Sequence, residues 1–274
     1  MPELPEAETI ARDLRQRVVG AVVLRARLLR PDLLAPGLSP RGFLARLANR
    51  RIDSVERRAK KVILRFDDDS RLVISLGMTG RVVTSDAARA GELRHVGARL
   101  ELADGRAILY DDARRFGELA LVRSEEWDEW QTRLGLEPFS DDFTADALHA
   151  LTRTSIVPIR NWLLDQRRVA GIGNIYALEA LFLAGVRPTR RARTLTRRES
   201  TALRDALRLV LTESIDVRGT TISDYRDAAG ERGGYDQRLR VYDREGLKCR
   251  QCGERIKRKV LTNRSAFYCP NCQR

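Results

Sequence analysis

The first six residues of the chain carry groups that could perform covalent chemistry. If Met1 is removed, Pro2 becomes the N-terminal residue and its ring nitrogen becomes a secondary amine. An α-amino group titrates at about 7.7–8.0, so part of it is neutral and nucleophilic near pH 7. A neutral amine that attacks a sugar aldehyde carbon forms a Schiff base, and Glu3 beside it could transfer protons. The alternative is structural: the prolines start a helix, and Glu3 and Glu6 complement its dipole.

A second constellation is formed by the four cysteines, which all lie in the last 26 residues. They form two Cys-x-x-Cys pairs separated by 16 residues, a spacing that suits four thiolates around one tetrahedral Zn²⁺. With sulfur at every position the metal has no open site, which predicts a structural role. Two disulfides or a redox pair are the alternatives, and a basic chain without a signal pattern disfavours disulfides. The predicted ligands are Cys249, Cys252, Cys269 and Cys272.

The charge balance indicates a polyanionic partner. The 274 residues include 51 Lys and Arg against 38 Asp and Glu, a formal net charge of +13. Nucleic acid is the commonest such partner, and an anionic membrane surface is the rival. No apolar run reaches the roughly 18–20 residues that span a bilayer, and the N-terminus has no signal pattern. We therefore expect a soluble, cytoplasmic protein with a core large enough for one large or two modest domains.

The N-terminal half must hold the terminal residues in place. A helix over 5–19, with Pro5 in its first turn and an apolar stripe, would anchor the amino terminus against a core. Ser39-Pro40 is typical of the start of a short helix that continues to about Asn49. Between 21 and 123 most segments are short and rich in Val, Ile and Leu, which predicts a β-sandwich or barrel. The predicted strands include 22–29, 61–66, 71–76, 81–84, 98–102 and 106–110.

The remainder of the chain has a helical pattern. A helix is predicted over 125–134 with Trp127 and Trp130 partly buried, and 135–142 then resembles a linker. Thr196 and Glu199 form a capping box that opens a helix through about Ile215. The glycine-rich stretch 219–234 is predicted to be a mobile loop. The last 44 residues carry 12 Lys and Arg against 5 Asp and Glu, which indicates a basic surface that holds phosphate. Further helices are predicted over 144–153, 159–166 and 174–184.

Together, the opening Pro2-Glu3-Leu4-Pro5-Glu6 and the four-cysteine tail resemble the formamidopyrimidine-DNA glycosylase family, the bacterial 8-oxoguanine repair enzymes. The similarity runs essentially end to end. It implies an α+β multidomain fold with DNA bound in the cleft between domains. The domains would be a catalytic N-terminal β-sandwich with a leading helix (1–134), a linker (135–142), a helical helix–two-turn–helix domain with a lesion-capping loop (143–234) and a zinc finger (235–274).

The activity that this resemblance implies is a bifunctional DNA glycosylase/AP lyase acting on oxidised purines in damaged duplex DNA. Pro2 would be the Schiff-base nucleophile at the deoxyribose C1′, and Glu3 would handle protons, including one for the ring oxygen. Glu6 would play a supporting, positioning role. Lys60 would assist elimination near the lesion phosphate. Arg264, at the zinc-finger hairpin tip, would grip the flanking phosphates and assist the second elimination, and no dissociable cofactor would be needed.

Two turns resemble the loops that this family inserts into DNA. In Gly77-Met78-Thr79-Gly80, Met78 would enter the base stack when the damaged nucleotide leaves it. In residues 111–117, Arg114 and Phe116 would fill the void, with Arg114 facing the orphan cytosine. Extruding a base costs a few kcal/mol of stacking, and inserted side chains recover part of it. The alternative is that Met78 and Phe116 are core residues.

Other DNA contacts are implied by the same resemblance. His95 matches a DNA-contacting histidine, and Asn174 lies in the helix–two-turn–helix segment 171–176, whose glycines can expose backbone N–H groups to phosphate. The loop that would close over 8-oxoguanine is matched by Thr220, Thr221 and Tyr225.

The chain also departs from the family pattern. The family usually has lysine then proline where this chain has Arg160 and Asn161. Arg160 keeps the positive charge of the lysine but not its point-like geometry, and Asn161 lacks the rigid ring of the proline. Arg160 is still assigned to DNA binding. Ala113 stands where the family usually has the first residue, proline, of a Pro-Arg-Arg-Phe turn.

Two rival functions are open at this point. One is that of endonuclease VIII, the sister family that prefers oxidised pyrimidines. Leu4, together with the Arg114 and Phe116 side chains that would fill the void in the DNA, favours instead the family that repairs oxidised purines. The other is a non-catalytic zinc-finger protein that binds damaged DNA. The presence of Pro2, Glu3 and Lys60 argues against it, although retention of Met1 would produce that outcome. We expect the protein to act as a monomer.

Overall fold

The computed structural model describes residues 2–88, 93–221, 227–228 and 231–274. Contacts divide the chain into two compact units, Met1–Thr132 with Ile215–Asp236, and Arg133–Ser214 with Gln237–Arg274. Residues 215–234, which the sequence analysis assigned to the helical domain, therefore group with the N-terminal unit. The domain bounds drawn from the sequence remain predictions.

Helix α1 (Leu4–Val18) begins the first unit, one residue before the predicted start. Glu3 is its N-cap in extended backbone geometry, and Pro5 lies in the first turn, where a missing N–H costs nothing. Its apolar stripe, which includes Ile10 and Leu14, is fully buried against the β-sheet. The helix thus fixes the position of Pro2 and Glu3 through a packed core.

The first unit is built around an antiparallel sheet. In the described part of the chain, eight strands follow the order β5-β7-β6-β1-β2-β3-β4-β8. β1 and β2 share only two residue pairs, and strands from both halves of the sheet contribute to one apolar cluster. The sheet is therefore folded on itself as a sandwich, as predicted. The strands are β1 (Val22–Leu28), β2 (Arg50–Arg58), β3 (Lys61–Phe66), β4 (Arg71–Ser75), β5 (Arg81–Thr84), β6 (Val96–Leu102), β7 (Ala107–Asp111) and β8 (Glu118–Val122).

Strand β2 was not among the strands predicted by hydrophobic pattern, although it pairs with both β1 and β3. Its sequence RRIDSVERR buries only Ile52 and Val55, so it lacks the alternation that marks a half-buried strand. Helices α2 (Pro40–Leu47) and α3 (Trp127–Thr132) flank the sheet. As predicted, the two α3 tryptophans are partly buried, with stacked rings 4.9 Å apart.

The second unit contains the helices α4 to α6 and most of α7. The predicted capping box is present: the Glu199 N–H donates to Thr196 Oγ1 (3.2 Å), and the Thr196 N–H donates to Glu199 Oε2 (2.8 Å). Gly185 has φ of +69°, consistent with its predicted role after α6. The helices are α4 (Ala145–Arg153), α5 (Ile159–Leu164), α6 (Asn174–Leu183) and α7 (Arg197–Asp216).

The C-terminal module of the second unit is a hairpin of β9 (Lys257–Leu261) and β10 (Arg264–Tyr268) beside the four cysteines. Leu178 and Phe182 of α6 form one apolar cluster with residues of this module, including Phe267 and Cys269. The module is therefore packed against α6 through a shared apolar cluster. Across the described residues, no helix combines the length and apolar character required to cross a membrane.

Candidate active site and nucleic-acid interface

The N-terminal residues form a buried, hydrogen-bonded cluster in the first unit. Pro2, Glu3 and Glu6 are all buried. One oxygen of the Glu6 carboxylate accepts the Glu3 N–H at 2.7 Å, and the other accepts the Thr220 N–H at 2.8 Å. Glu6 therefore joins the start of α1 to a segment 214 positions later in the sequence. This geometry holds the backbone of Glu3, the residue that follows Pro2, in one orientation, and the supporting role of Glu6 remains a prediction.

Lys60 lies in the two-residue turn of the β2–β3 hairpin, beside Ala59, which has φ of +55°. The hairpin is tied to α1 at two points. The Arg57 side chain pairs with Glu8 of α1 at 3.1 Å, and Arg15 Nε donates to the Val55 carbonyl at 2.9 Å. The same helix thus fixes the backbone positions of Pro2, Glu3 and Lys60, which the sequence analysis assigned to the reaction.

The side chains proposed to enter DNA lie at the surface. Met78 is 42% exposed and Phe116 is 59% exposed, so neither is a core residue. The Arg114 guanidinium lies 4.8 Å from the centroid of the Phe116 ring. Gly77 has φ of +57°, and a Cβ there would lie 2.5 Å from the Phe116 backbone carbon. The turns 77–80 and 111–117 are consequently packed backbone against backbone.

Asp112 connects these two turns. Its carboxylate is 1% exposed. Oδ1 accepts from the Thr79 hydroxyl at 2.5 Å, whereas Oδ2 accepts from the Gly117 N–H at 2.8 Å and the Tyr110 hydroxyl at 3.3 Å. The Arg114 N–H also donates to Thr79 Oγ1 at 3.1 Å. Asp112 therefore makes the Met78 turn and the Arg114–Phe116 turn into a single rigid element.

Replacing Asp112 with Asn is expected to loosen this element, because in either orientation of the amide its nitrogen replaces an oxygen that accepts two hydrogen bonds and cannot accept them. Leaving buried donors unpaired costs about 1–3 kcal/mol, so the melting temperature should fall. The excision of a flipped base, which the family resemblance implies, should fall about tenfold, because a loss of about 1.4 kcal/mol of transition-state stabilisation lowers a rate by that factor. Thermal unfolding and single-turnover excision measure the two effects. Asp104→Asn, in an exposed turn of the same unit, is the matched control; equal effects in the two variants would contradict the assignment.

His95 lies beside the second turn. Its backbone N–H donates to Asp111 Oδ1 at 2.6 Å, and its carbonyl accepts from the Asp112 N–H at 3.2 Å. The imidazole itself is exposed. The structure therefore places His95 beside the turn that carries Arg114 and Phe116, and their role as DNA contacts remains a prediction.

Asn174 begins α6 after Gly173, and Gly171 has φ of +85° as the preceding turn requires. The Asn174 amide is used inside the protein: Oδ1 accepts from Arg160 Nε at 3.0 Å, and Nδ2 donates to the Ser265 carbonyl at 3.0 Å. The DNA-binding role of Asn174 remains a prediction.

Arg160 lies on α5 and is 1% exposed. Besides Asn174, it bonds to Asn161 Oδ1 at 2.9 Å and to the Leu261 carbonyl at 3.1 Å. Burial, followed by the nearby positive charge of Arg264, lowers the pKa of Arg160. These internal bonds use Nε and Nη1 of the guanidinium, whereas Nη2 is buried without a hydrogen-bond partner among the described residues. The direct DNA contact assigned to Arg160 remains a prediction.

Arg264 follows the two-residue turn of the β9–β10 hairpin. Thr262 and Asn263 have φ of +46° and +59°, the geometry of a tight two-residue hairpin loop. The Arg264 side chain is exposed at this tip, next to the exposed basic strand β9. The arrangement presents positive charge on a short, rigid projection, as a phosphate contact requires.

The four cysteine sulfurs lie within 4.8 Å of one another. Two of the separations, Cys252–Cys269 and Cys249–Cys272, are 3.4 and 3.9 Å. Tetrahedral Zn–S bonds of about 2.3 Å place sulfurs about 3.8 Å apart, whereas a disulfide requires about 2.0 Å. The cysteines are unbridged, and the donor set fits one structural zinc. The disulfide alternative is therefore excluded.

The predicted mobile loop 219–234 is only partly described. Its ends are hydrogen-bonded: Thr220 pairs with Gly234, and Thr221 Oγ1 accepts the Gly233 N–H at 2.8 Å. Tyr225, assigned with Thr220 and Thr221 to the lesion-capping loop, lies outside the described residues.

Sequence reasoning gave no role to Asp112 or to Glu179. Glu179 is fully buried in α6, and its carboxylate accepts backbone N–H bonds from Arg240, Val241 and Tyr242 at 2.8–2.9 Å. Burial raises the pKa of Glu179. A lone carboxylate in an otherwise apolar helix was the signal that could have identified it.

The β-sandwich with its Pro-Glu terminus, the helical unit and the four-cysteine module together define the class of zinc-finger DNA glycosylases. Family models match three parts of the chain: the formamidopyrimidine-DNA glycosylase N-terminal domain over 1–119, its H2TH domain over 134–226, and a zinc finger found in FPG and IleRS over 246–274. The chain belongs to the formamidopyrimidine-DNA glycosylase family, whose members have glycosylase and AP lyase activity.

Similar proteins agree over the whole length. The formamidopyrimidine-DNA glycosylase of Chloroflexus aggregans is 43% identical over 274 residues, covering 100% of this chain and 98% of that protein. The MutM (Fpg) structure from Thermus thermophilus is 40% identical with a TM-score of 0.88, covering 99% and 98% of the two chains. A mutant of the Lactococcus lactis FPG in complex with a Fapy-dG-containing DNA is 32% identical with a TM-score of 0.90, covering 100% of both.

Proposed function

We propose that this enzyme excises oxidised purines, 8-oxoguanine and formamidopyrimidines, from duplex DNA and then cleaves the abasic strand by β,δ-elimination. The observation that carries the proposal is the buried cluster at the N-terminus, in which Glu6 fixes Glu3 directly after Pro2. The Lactococcus lactis relative in complex with Fapy-dG-containing DNA supports the substrate class. Since all the groups assigned to the reaction lie on one chain, we propose that a monomer acts on cytoplasmic DNA.

The first step uses Pro2 after removal of Met1. Its neutral secondary amine attacks C1′ of the deoxyribose, the N-glycosidic bond breaks, and the damaged base leaves with the bonding electron pair. Glu3 accepts the proton that the attacking amine loses and donates it to the ring oxygen, so the sugar opens and an iminium ion links Pro2 to C1′. Glu6 holds the backbone of Glu3 during this step.

The iminium ion acidifies the adjacent C2′–H bond. Loss of that proton expels the 3′ phosphate in β-elimination, and a second elimination expels the 5′ phosphate, which leaves a one-nucleotide gap. Lys60 assists near the lesion phosphate, and Arg264 neutralises charge on the phosphate that leaves in the second elimination. Hydrolysis of the imine then frees Pro2. The zinc, once bound by the four cysteines, supplies structural stability alone.

DNA binding in this proposal depends on the two turns joined by Asp112. Met78, Arg114 and Phe116 project together from one rigid element, which fits insertion into the space that the flipped nucleotide vacates. His95, Asn174 and Arg160 are proposed to contribute further to DNA binding, directly or through their neighbours. Extensive phosphate contact predicts binding that weakens strongly as salt increases.

The substrate class is tested by a comparison of strand cleavage on three duplexes that carry 8-oxoguanine opposite cytosine, dihydrouracil, or no lesion. The proposal predicts the fastest single-turnover cleavage on 8-oxoguanine, with both phosphates lost. Faster cleavage of dihydrouracil would instead assign the protein to the pyrimidine branch. Binding without cleavage, in protein shown by intact mass to lack Met1, would leave a damage-binding protein.

A further inference from the structure

The hairpin tip that carries Arg264 is held by three side chains of the second unit. Arg160 donates to the Leu261 carbonyl at 3.1 Å, Asn161 Nδ2 donates to Thr262 Oγ1 at 2.8 Å, and Asn174 Nδ2 donates to the Ser265 carbonyl at 3.0 Å. We refer to Arg160, Asn161 and Asn174 as the hairpin clamp.

The clamp grips both sides of the turn. Leu261 is paired with Arg264 across the hairpin, Thr262 begins the turn, and Ser265 follows Arg264 on β10. Residues on both sides of Arg264 are thus held by hydrogen bonds, while the Arg264 side chain itself is exposed.

The clamp is also internally connected. Arg160 Nε donates to Asn174 Oδ1 at 3.0 Å, and Arg160 Nη1 donates to Asn161 Oδ1 at 2.9 Å. Each asparagine amide is thereby oriented, with its oxygen toward Arg160 and its nitrogen toward the hairpin. A buried guanidinium with donors in a rigid fork can orient two amides at once, which a point-like ammonium does less well.

We infer that Arg160 and Asn161 are positioning residues that set the placement of Arg264 for the second elimination. These are the two positions at which the chain departs from the usual Lys-Pro, and the Asn161–Thr262 bond is one that proline could not make. The inference rests on the proposed role of Arg264 in that elimination. Because the clamp acts on the hairpin and not on Pro2, its loss should alter the second elimination more than base excision.

The ratio of δ- to β-elimination products on a duplex with 8-oxoguanine opposite cytosine tests this inference. Asn161→Ala and Thr262→Val each remove the same hydrogen bond, and each should lower the ratio about threefold to tenfold, the usual worth of one bond. Asn161→Ala also removes the oxygen that accepts from Arg160 Nη1, so its loss should be at least that of Thr262→Val, and the double variant should show no loss beyond that of Asn161→Ala alone. Thr262→Ser keeps the hydroxyl and should retain the wild-type ratio.

Two references make the result decisive. Thr154→Val, which also removes a threonine hydroxyl from the second unit, should leave the ratio unchanged, and zinc content and melting temperature show that each variant is folded. Arg264→Ala should lower the ratio more than any clamp variant. If Arg264→Ala lowers it but Asn161→Ala and Thr262→Val do not, the clamp inference is overturned and the proposed function stands. If Arg264→Ala has no effect, the proposed role of Arg264 fails, and the clamp inference fails with it.

Discussion

Replacing Glu3 with Gln should reduce single-turnover excision of 8-oxoguanine by about 10²–10⁴-fold, the usual contribution of a positioned general acid or base. Glu3 is buried at the N-cap of α1, and its backbone N–H is held by Glu6 at 2.7 Å. Glutamine has nearly the same shape but cannot donate the carboxyl proton to the sugar ring oxygen. The fold and the affinity for DNA should therefore change little, and the defect should lie in the rate of the chemical step.

Glu126→Gln is the matched control, since Glu126 is an exposed carboxylate of the same unit that pairs with Arg123. Excision rates at saturating enzyme, with melting temperatures for both variants, separate chemistry from folding. A loss of less than tenfold in Glu3→Gln, or an equal loss in Glu126→Gln, would remove Glu3 from the proton-transfer role.

The second large effect is expected from loss of a zinc ligand. Cys269 is fully buried, its sulfur accepts the Cys272 N–H at 3.4 Å, and it belongs to the apolar cluster that joins the module to α6. Cys269→Ser should reduce bound zinc from one ion to none. Structural zinc contributes about 10–16 kcal/mol of apparent binding free energy in isolated finger peptides, so the module should unfold locally. The Arg264 hairpin would then be lost, and with it tight DNA binding.

Metal content by mass spectrometry and DNA affinity at fixed salt measure these changes. The N-terminal unit has its own core, so it should retain a cooperative melting transition in the variant. Removal of zinc from the wild type by a chelator should reproduce the defect, and re-addition of zinc should reverse it. A Cys269→Ser protein that keeps one zinc and normal DNA affinity would show that the cluster is not a four-thiolate site.

Local signals predicted two of the helices and the metal ligands. The prolines and apolar stripe gave α1 to within one residue, the Thr196–Glu199 spacing gave the start of α7, and the paired cysteines gave the metal ligands. Each of these signals lies within a short stretch of chain and has a direct physical cause. Strand β2 was not predicted because only Ile52 and Val55 are buried among its many polar residues, so the strand shows no apolar alternation.

Contacts between distant positions could not be predicted in this way. Glu6 meets Thr220 across 214 residues, and Asn161 meets Thr262 across 101. Asp112 was recognised as part of a turn, but the hydrogen bonds that its carboxylate accepts depend on how β4, β5, β7 and β8 place two turns side by side. Arg160 was expected to face DNA, and only the fold shows that its guanidinium is buried among Asn161, Asn174 and Leu261.

Borohydride trapping is the measurement that detects covalent catalysis by Pro2, since it captures the bond between the protein and the sugar. Protein shown by intact mass to lack Met1 is mixed with duplex DNA carrying 8-oxoguanine opposite cytosine, and the iminium ion is reduced to a stable amine. We expect a covalent complex in the wild type that is lost or sharply reduced in Pro2→Gly. A complex of equal yield in Pro2→Gly, or none in the wild type despite DNA binding, would contradict it.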